Sequence, residues 1–185
     1  MNCDTAANQQ KRATWRRPLK ERDPARLVFI EESGVTRSMP RRDGRAPKGE
    51  RVYGSVPLGP WQVTTLMGAL ALDGLGTSFT VNAATDADVF RVFGEQALAP
   101  ALGPGEGGIG DHLPAHKAPA LKTIIESTQA ALLPWPPYSP AFNPMEPCWS
   151  KVKTCLRAAE ARTHEAREQA IAKAFASATA ADARG

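Results

Sequence analysis

Apolar residues fall along this chain in two periods, and the elements follow from which period holds where. Leu27-Val28-Phe29-Ile30 is an unbroken apolar run of β-forming residues that stops at Glu31, Glu32, Ser33 and Gly34, the pattern of a buried strand emerging at a sheet edge. Val52 to Val56 and Trp61 to Leu72 are rich in β-formers, and Leu72-Asp73-Gly74 followed by Thr77 to Val81 predicts a hairpin turning at Asp73-Gly74. About three consecutive antiparallel strands are expected from this region. The period then changes. Thr85 or Asp86 caps a helix whose apolar face is Val89, Phe90, Phe93 and Ala97, and Pro100 and Gly103 end it. Gly103, Gly105, Gly107, Gly108 and Gly110 follow; a strand belongs here in the order of elements, yet the composition resists one. Ala115 to Gln129 is helical with Leu121, Ile124 and Ile125 inward, and Ala130 to Leu133 is a short strand. A last amphipathic helix over Thr163 to Ala178 puts Ala166, Ala170, Ile171, Ala174 and Phe175 on one face.

The most informative stretch is Leu133 to Lys153. Pro134, Pro136, Pro137, Pro140 and Pro144 fix φ repeatedly, so no helix forms before Asn143. From there the signals reverse. Asn143 is a good N-cap, Pro144 suits the first helical position, and Glu146 lies in the first turn, where a carboxylate complements the helix dipole. Met145, Trp149, Val152 and Leu156 then recur at helical spacing, with Lys151, Lys153 and Arg157 on other faces. Trp135 and Trp149 read as packing residues rather than a base-stacking platform. The whole order suits an α/β protein, a mixed sheet flanked by helices of the kind found in ribonuclease H-like folds.

Composition narrows the class. The 185 residues allow one domain with a real core, and 42% hydrophobic content is ordinary for a globular protein. Met1 to Arg26 is basic and almost without apolar periodicity, so it reads as a tail or remnant linker ahead of a domain over 27–180. No run has the apolar length of a membrane span or signal peptide, so a soluble, cytoplasmic protein is expected. The net charge of +4 favours an anionic partner. Cys3, Cys148 and Cys155 lack CxxC spacing, which excludes a disulfide framework and a cysteine-rich zinc site. His112 and His116 have the i, i+4 spacing of a zinc helix, but Pro114 lies between them and no HExxH core is present. Arg37 to Arg51, with Arg41, Arg42, Arg45, Lys48 and Arg51, reads either as a solvated charged loop or as a phosphate-contacting one.

Three acidic positions lie at element edges: Glu31 or Glu32 after the first strand, Asp111 before a helix, and Glu146 at a helix start. If the first and fourth strands are neighbours, the first two converge, and the helix after the fifth strand brings the third. Three oxygen donors with open positions suit Mg2+ or Mn2+. From the pattern alone, solvated element ends are the commoner reading.

PPYSPAFNPMEPCWSKVK resembles the signature of the DDE transposases of bacterial insertion sequences in the mariner superfamily, in which PPYSPxxNPIE precedes a helix and its Glu is the third metal ligand. DHLPAHKAP at Asp111 to Pro119 is similar to the family's second-ligand segment, and FIEESGV at Phe29 to Val35 to its first-ligand segment; the region from Gly44 to Leu70 is also like the family's. The resemblance implies a ribonuclease H-like catalytic domain that cleaves and joins DNA strands with two Mg2+ or Mn2+ ions held by Glu31, Asp111 and Glu146. Glu32, His112 and His116 would stand beside that site. Arg41, Arg42, Arg45, Lys48, Arg51, Lys117, Lys151 and Lys153 would bind nucleic acid. The implied partner is DNA, both transposon ends and target, in the nucleoid, with no membrane and room for a homodimer. The family carries an N-terminal helix-turn-helix region, for which Met1 to Arg26 is too short, so a truncated member is expected. Glu31 stands where the family has Asp, an extension of about 1.5 Å for a cation with strict geometry. The alternative is therefore a non-enzymatic remnant that binds DNA weakly.

Overall fold

Leu27–Thr36 forms β1, the axis of the sheet. Val63–Ala71 (β2), Gly74–Val81 (β3), Gly107–Gly110 (β4) and Ala131–Pro134 (β5) complete it in the order β3-β2-β1-β4-β5. The computed structural model describes residues 5–36, 39–56, 63–83, 85–110, 118–136 and 139–184. Within these, β1 pairs antiparallel with β2 and parallel with β4, and β4 pairs parallel with β5. The first and fourth strands are neighbours, as a ribonuclease H-like mixed sheet requires.

Helices cover both faces. Ala87–Phe93 (α2) and Ala118–Ser127 (α3), with a π turn over Gly94–Leu98, pack on one face, where Val28, Ile30, Met67, Phe90, Phe93, Leu121 and Ile125 are buried together. Met145–Ala159 (α4) and His164–Ala176 (α5) cover the other, with Val35, Leu66, Leu70, Trp149, Val152, Ile171 and Phe175 in its core. Asp86 caps α2 by accepting from Val89 N–H at 2.9 Å, and Thr163 caps α5 by accepting from Ala166 N–H at 3.1 Å. A short helix, Ala180–Arg184, follows the Gly74–Thr179 bridge at the β3 edge.

The structure corrects several expectations. β1 does not end at Ile30. Its register with β2 runs from Phe29 opposite Leu70 to Thr36 opposite Val63, so Glu31 and Glu32 lie inside a strand. Long-range pairing overrides the polar composition of that half. Val52 to Val56 forms no strand; Val52 and Val56 are about half exposed and Tyr53 is 86% exposed, with no apolar face to bury against. The hairpin turns at Leu72-Asp73, one residue early, because Ala71 pairs with Gly74, whose φ of +117° begins β3.

The glycine-rich segment is a strand after all, and every residue of β4 is buried. Its glycines fit the crowding. A Cβ on Gly107 would lie 3.0 Å from Leu133 Cδ1, and one on Gly108 3.2 Å from Ile30 Cδ1 and 3.4 Å from Ile125 Cδ1. Neighbouring side chains fill the space that strand residues normally supply. Gly108→Val, which looks favourable by β propensity, is therefore expected to lower stability by about 1–3 kcal/mol through overpacking. Urea unfolding checks this, and an unchanged or raised midpoint would refute it.

Residues Ala6–Leu19, read as part of a tail, form a helix, α1. Thr5 Oγ1 accepts from Asn8 N–H at 3.4 Å at its start. No residue of α1 is fully buried. What holds it is Trp15, whose indole Nε1 donates to Pro134 O at 2.8 Å and whose ring lies 4.9 Å from that of Trp135. The expectation failed because Trp15's partners lie 119 residues away in sequence for the hydrogen bond.

Candidate functional site

The start of α4 is built as its sequence implies. Asn143 Oδ1 accepts from Met145 N–H at 3.0 Å and Asn143 O from Glu146 N–H at 3.4 Å, while Pro144 already has helical φ and ψ of −71° and −12°. Met145, Cys148, Trp149, Val152 and Leu156 are buried, which anchors the helix, and Glu146 is exposed in its first turn. The side chain of Phe142, just ahead of this helix, lies stacked near Trp15 and beneath the Arg16 guanidinium, 4.9 Å from the ring centroid. Trp135 is 6% exposed and Trp149 3%, both in packing roles as expected.

The pleat decides between Glu31 and Glu32. Successive strand side chains point to opposite faces. Val28 and Ile30 belong to the α2/α3 core, whereas Val35 and Phe29 belong to the α4/α5 core. Glu31 is in step with Phe29 and Val35 and faces α4; Glu32 is in step with Ile30 and faces away. Position along α4 follows from electrostatics. Burial pushes the Cys148 thiol up to about 11, Asp182 adds to the shift, Lys151 opposes it, and the Glu31 carboxylate adds again. Further along, Val35 and Thr36 line a pocket with Leu156. The helix thus runs along β1 in the same sense, with Glu31 near its first turns.

Glu31 is opposite Gly68 in the β1–β2 register. A Cβ on Gly68 would lie 3.1 Å from Trp149 Cη2, so the absence of a side chain there admits the indole beside Glu31. Glu31 is half-buried and its Oε2 is shielded from solvent. It is also the β1 residue that follows the last described pair of the parallel ladder, Ile30 opposite Gly110. Crevices at the carboxyl ends of parallel strands are where ligands bind in open α/β sheets.

Asp111, His112, His116 and Lys117 lie outside the described residues. Gly110, which precedes Asp111 in sequence, is described, and it pairs with Ile30, the residue before Glu31. Among the described residues no three His, Cys, Asp or Glu side chains gather as a metal group. The donor chemistry nonetheless suits a hard divalent cation: Glu31, turned toward α4, and Glu146, in the first turn of that helix, are both carboxylates.

The basic residues divide. Arg42, Arg45, Lys48 and Arg51 are exposed on an irregular segment, whereas Arg41 is committed to the end of α4, pairing with Glu160 at 3.1 Å and donating to Ala158 O at 3.4 Å. Lys151, expected to bind phosphate, pairs with Asp182 at 2.8 Å; that ammonium, with the Thr179 N–H and hydroxyl, pulls the Asp182 carboxyl down to about 2. Lys153 is half-buried on α4. Sequence reasoning missed α1, which brings Lys11, Arg12, Arg16 and Arg17 without any acid to the β5 end of the sheet, and Arg167, buried on α5. A lone tryptophan within a basic segment was the available signal for the first.

Comparison with solved structures returns the Mos1 transposase paired-end complex with left transposon end, 15% identical over 97% of this chain and 57% of that one at a TM-score of 0.71. The Mos1 strand transfer complex is 18% identical over 99% of this chain and 57% of that one, also at 0.71. The catalytic domain of Mos1 mariner transposase is 14% identical over 95% and 82% at 0.56. The shared fold is the ribonuclease H-like one, and the chain spans 57% of the length of the first two. No curated protein sequence matches. The family model for the DDE superfamily endonuclease matches residues 26–169, from the start of β1 through α4 and into α5, and the chain belongs to that family.

Proposed function

We propose that this chain is the catalytic domain of a mariner-type transposase of a bacterial insertion sequence, acting on DNA phosphodiesters with Mg2+ or Mn2+. The observation that carries the reading is the pleat of β1, which turns Glu31 toward α4 one residue past the pairing of Ile30 with Gly110. Membership of the endonuclease family supports it, as do Mos1 structures described as complexes with a transposon end and with Mn or Mg.

Glu31, Asp111 and Glu146 would hold the cations. When bound, such ions make water a nucleophile at neutral pH and neutralise charge on the leaving oxygen. The chain's own part is positional. Glu31 is fixed by a strand paired on both sides up to Ile30, and Glu146 by the Asn143 cap and the buried Met145. Trp149 fills the space over Gly68, across the register from Glu31. In hydrolysis, a water oxygen bonds to phosphorus, the opposite P–O bond breaks, and a free 3′ hydroxyl results. That hydroxyl repeats the displacement on a target phosphodiester. Cations of the 41–51 segment, with His116 and Lys117, would steady the flanking phosphates.

Purified protein incubated with supercoiled plasmid and Mn2+ is expected to yield nicked circles, and none with a chelator. Folded protein that retains plasmid without nicking it under Mn2+ or Mg2+ would overturn the catalytic reading in favour of a DNA-binding remnant.

A further inference from the structure

We propose that Arg167 is the centre of a second anion site, at the far end of α4, that takes a backbone phosphate of the bound DNA. The inference rests on the reading of this protein as one that acts on DNA.

Arg167 is 9% exposed, and its Nε is buried with no hydrogen-bond partner among the described residues. No carboxylate of the described residues lies within ion-pair distance of it. Buried cations are normally paired, because desolvating an uncompensated charge is costly. Arg167 lines a small pocket of about 20 Å³ with Val35, Thr36, Leu156, Glu160 and Arg162, so a phosphate would meet its guanidinium at the pocket mouth. The one acid among the pocket's described lining residues, Glu160, is already engaged by Arg41 at 3.1 Å and Arg162 at 3.6 Å. Arg167 is also the fourth residue of α5, near the helix end that carries partial positive charge. Cation and helix end both ask for an anion, and the apolar walls of Val35 and Leu156 would strengthen its attraction.

The pocket continues outward. Glu160 and Arg162 also line the neighbouring groove, with Arg41, Arg42, Asp43 and Arg45. Arg157 stands close by, its guanidinium pKa lowered by burial and by Arg42. Among the described residues that line this basin, pocket and groove together, five arginines face two acids, Asp43 and Glu160. α4 has 15 residues, which at about 1.5 Å each puts this basin roughly 20 Å from Glu146. For a duplex lying along α4, at about 3.4 Å per base pair, that is about six base pairs from the reacting phosphate.

The test compares wild type with Arg167→Met and Arg167→Lys in two assays. Inorganic phosphate is expected to raise the melting temperature of the wild type and not of Arg167→Met, which should itself melt no lower than wild type in phosphate-free buffer. A merely structural arginine would instead leave the variant less stable and the phosphate response intact. Affinity for a 30-base-pair duplex should fall about tenfold in Arg167→Met, with the slope of log affinity against log salt smaller by about one, and recover in part in Arg167→Lys. Arg162→Ala, at an exposed pair, serves if Arg167→Met does not fold and should weaken the phosphate response. Chloride stabilising the wild type as well as phosphate does, or an unchanged salt slope in Arg167→Met, overturns the proposal. Wild type that binds no DNA while Arg167→Met loses the phosphate response sinks the transposase reading and leaves the anion site standing.

Discussion

Glu146→Ala is expected to abolish DNA nicking, by about 100-fold or more, while leaving the fold intact. Both halves of this expectation come from position. Glu146 is exposed in the first turn of α4, so the stability lost is its interaction with the helix dipole, about 0.3–1 kcal/mol. Its proposed role is one of three oxygen donors, and removing a direct ligand should exceed the 10–100-fold that loss of an outer partner costs a metal site. The measurements are nicking rate under Mn2+, Mn2+ binding by calorimetry and the urea midpoint. Glu32→Ala is the matched control. It sits one residue from Glu31 but on the opposite face of the pleat, with Val28 and Ile30, and should leave nicking unchanged. Full activity in Glu146→Ala, or equal loss in Glu32→Ala, would refute the placement of the site on the α4 face.

That control could not have been chosen from the sequence. Two adjacent carboxylates after an apolar run leave open which one faces which side, and the face is set by what packs on it. The same holds for much of what was missed. β1 continues through Glu31–Thr36 because β2 supplies a ladder for it, and no local propensity reports a ladder that distant. β4 is a strand because Leu133, Ile30 and Ile125 fill the space above its glycines. α1 depends on a hydrogen bond to Pro134. Lys151 reads as a free cation until Asp182 folds back beside it. The legible parts were those in which the determinants are local: the Asn143-Pro144 start of α4, its buried Met145, Trp149, Val152 and Leu156, the cap of α2 at Asp86, and the strand order implied by the succession of elements. The proline stretch is the strongest of these, because fixed φ values act at each position regardless of the rest of the fold.

Trp149→Ala is expected to lower stability by about 3–5 kcal/mol and to reduce nicking beyond what the stability loss explains. The indole is 3% exposed, packs near Phe175 with ring centroids 6.3 Å apart, and reaches the place where a Gly68 side chain would stand. Truncation leaves a void that a glycine in the middle of β2 cannot fill, directly across the register from Glu31. Water admitted there would solvate the buried side of the Glu31 carboxylate and loosen its aim. Trp149→Phe separates packing from polarity. The indole Nε1 is buried without a hydrogen-bond partner among the described residues, so replacing it removes a desolvated donor and no bond. The phenylalanine variant should therefore lose much less stability than the alanine variant and retain most of its nicking. Urea midpoints and nicking rates for the pair, taken at a temperature where both are folded, decide the matter: equal destabilisation by Phe and Ala would mean that the indole N–H, and not the volume of the ring beside Glu31, is what the site depends on.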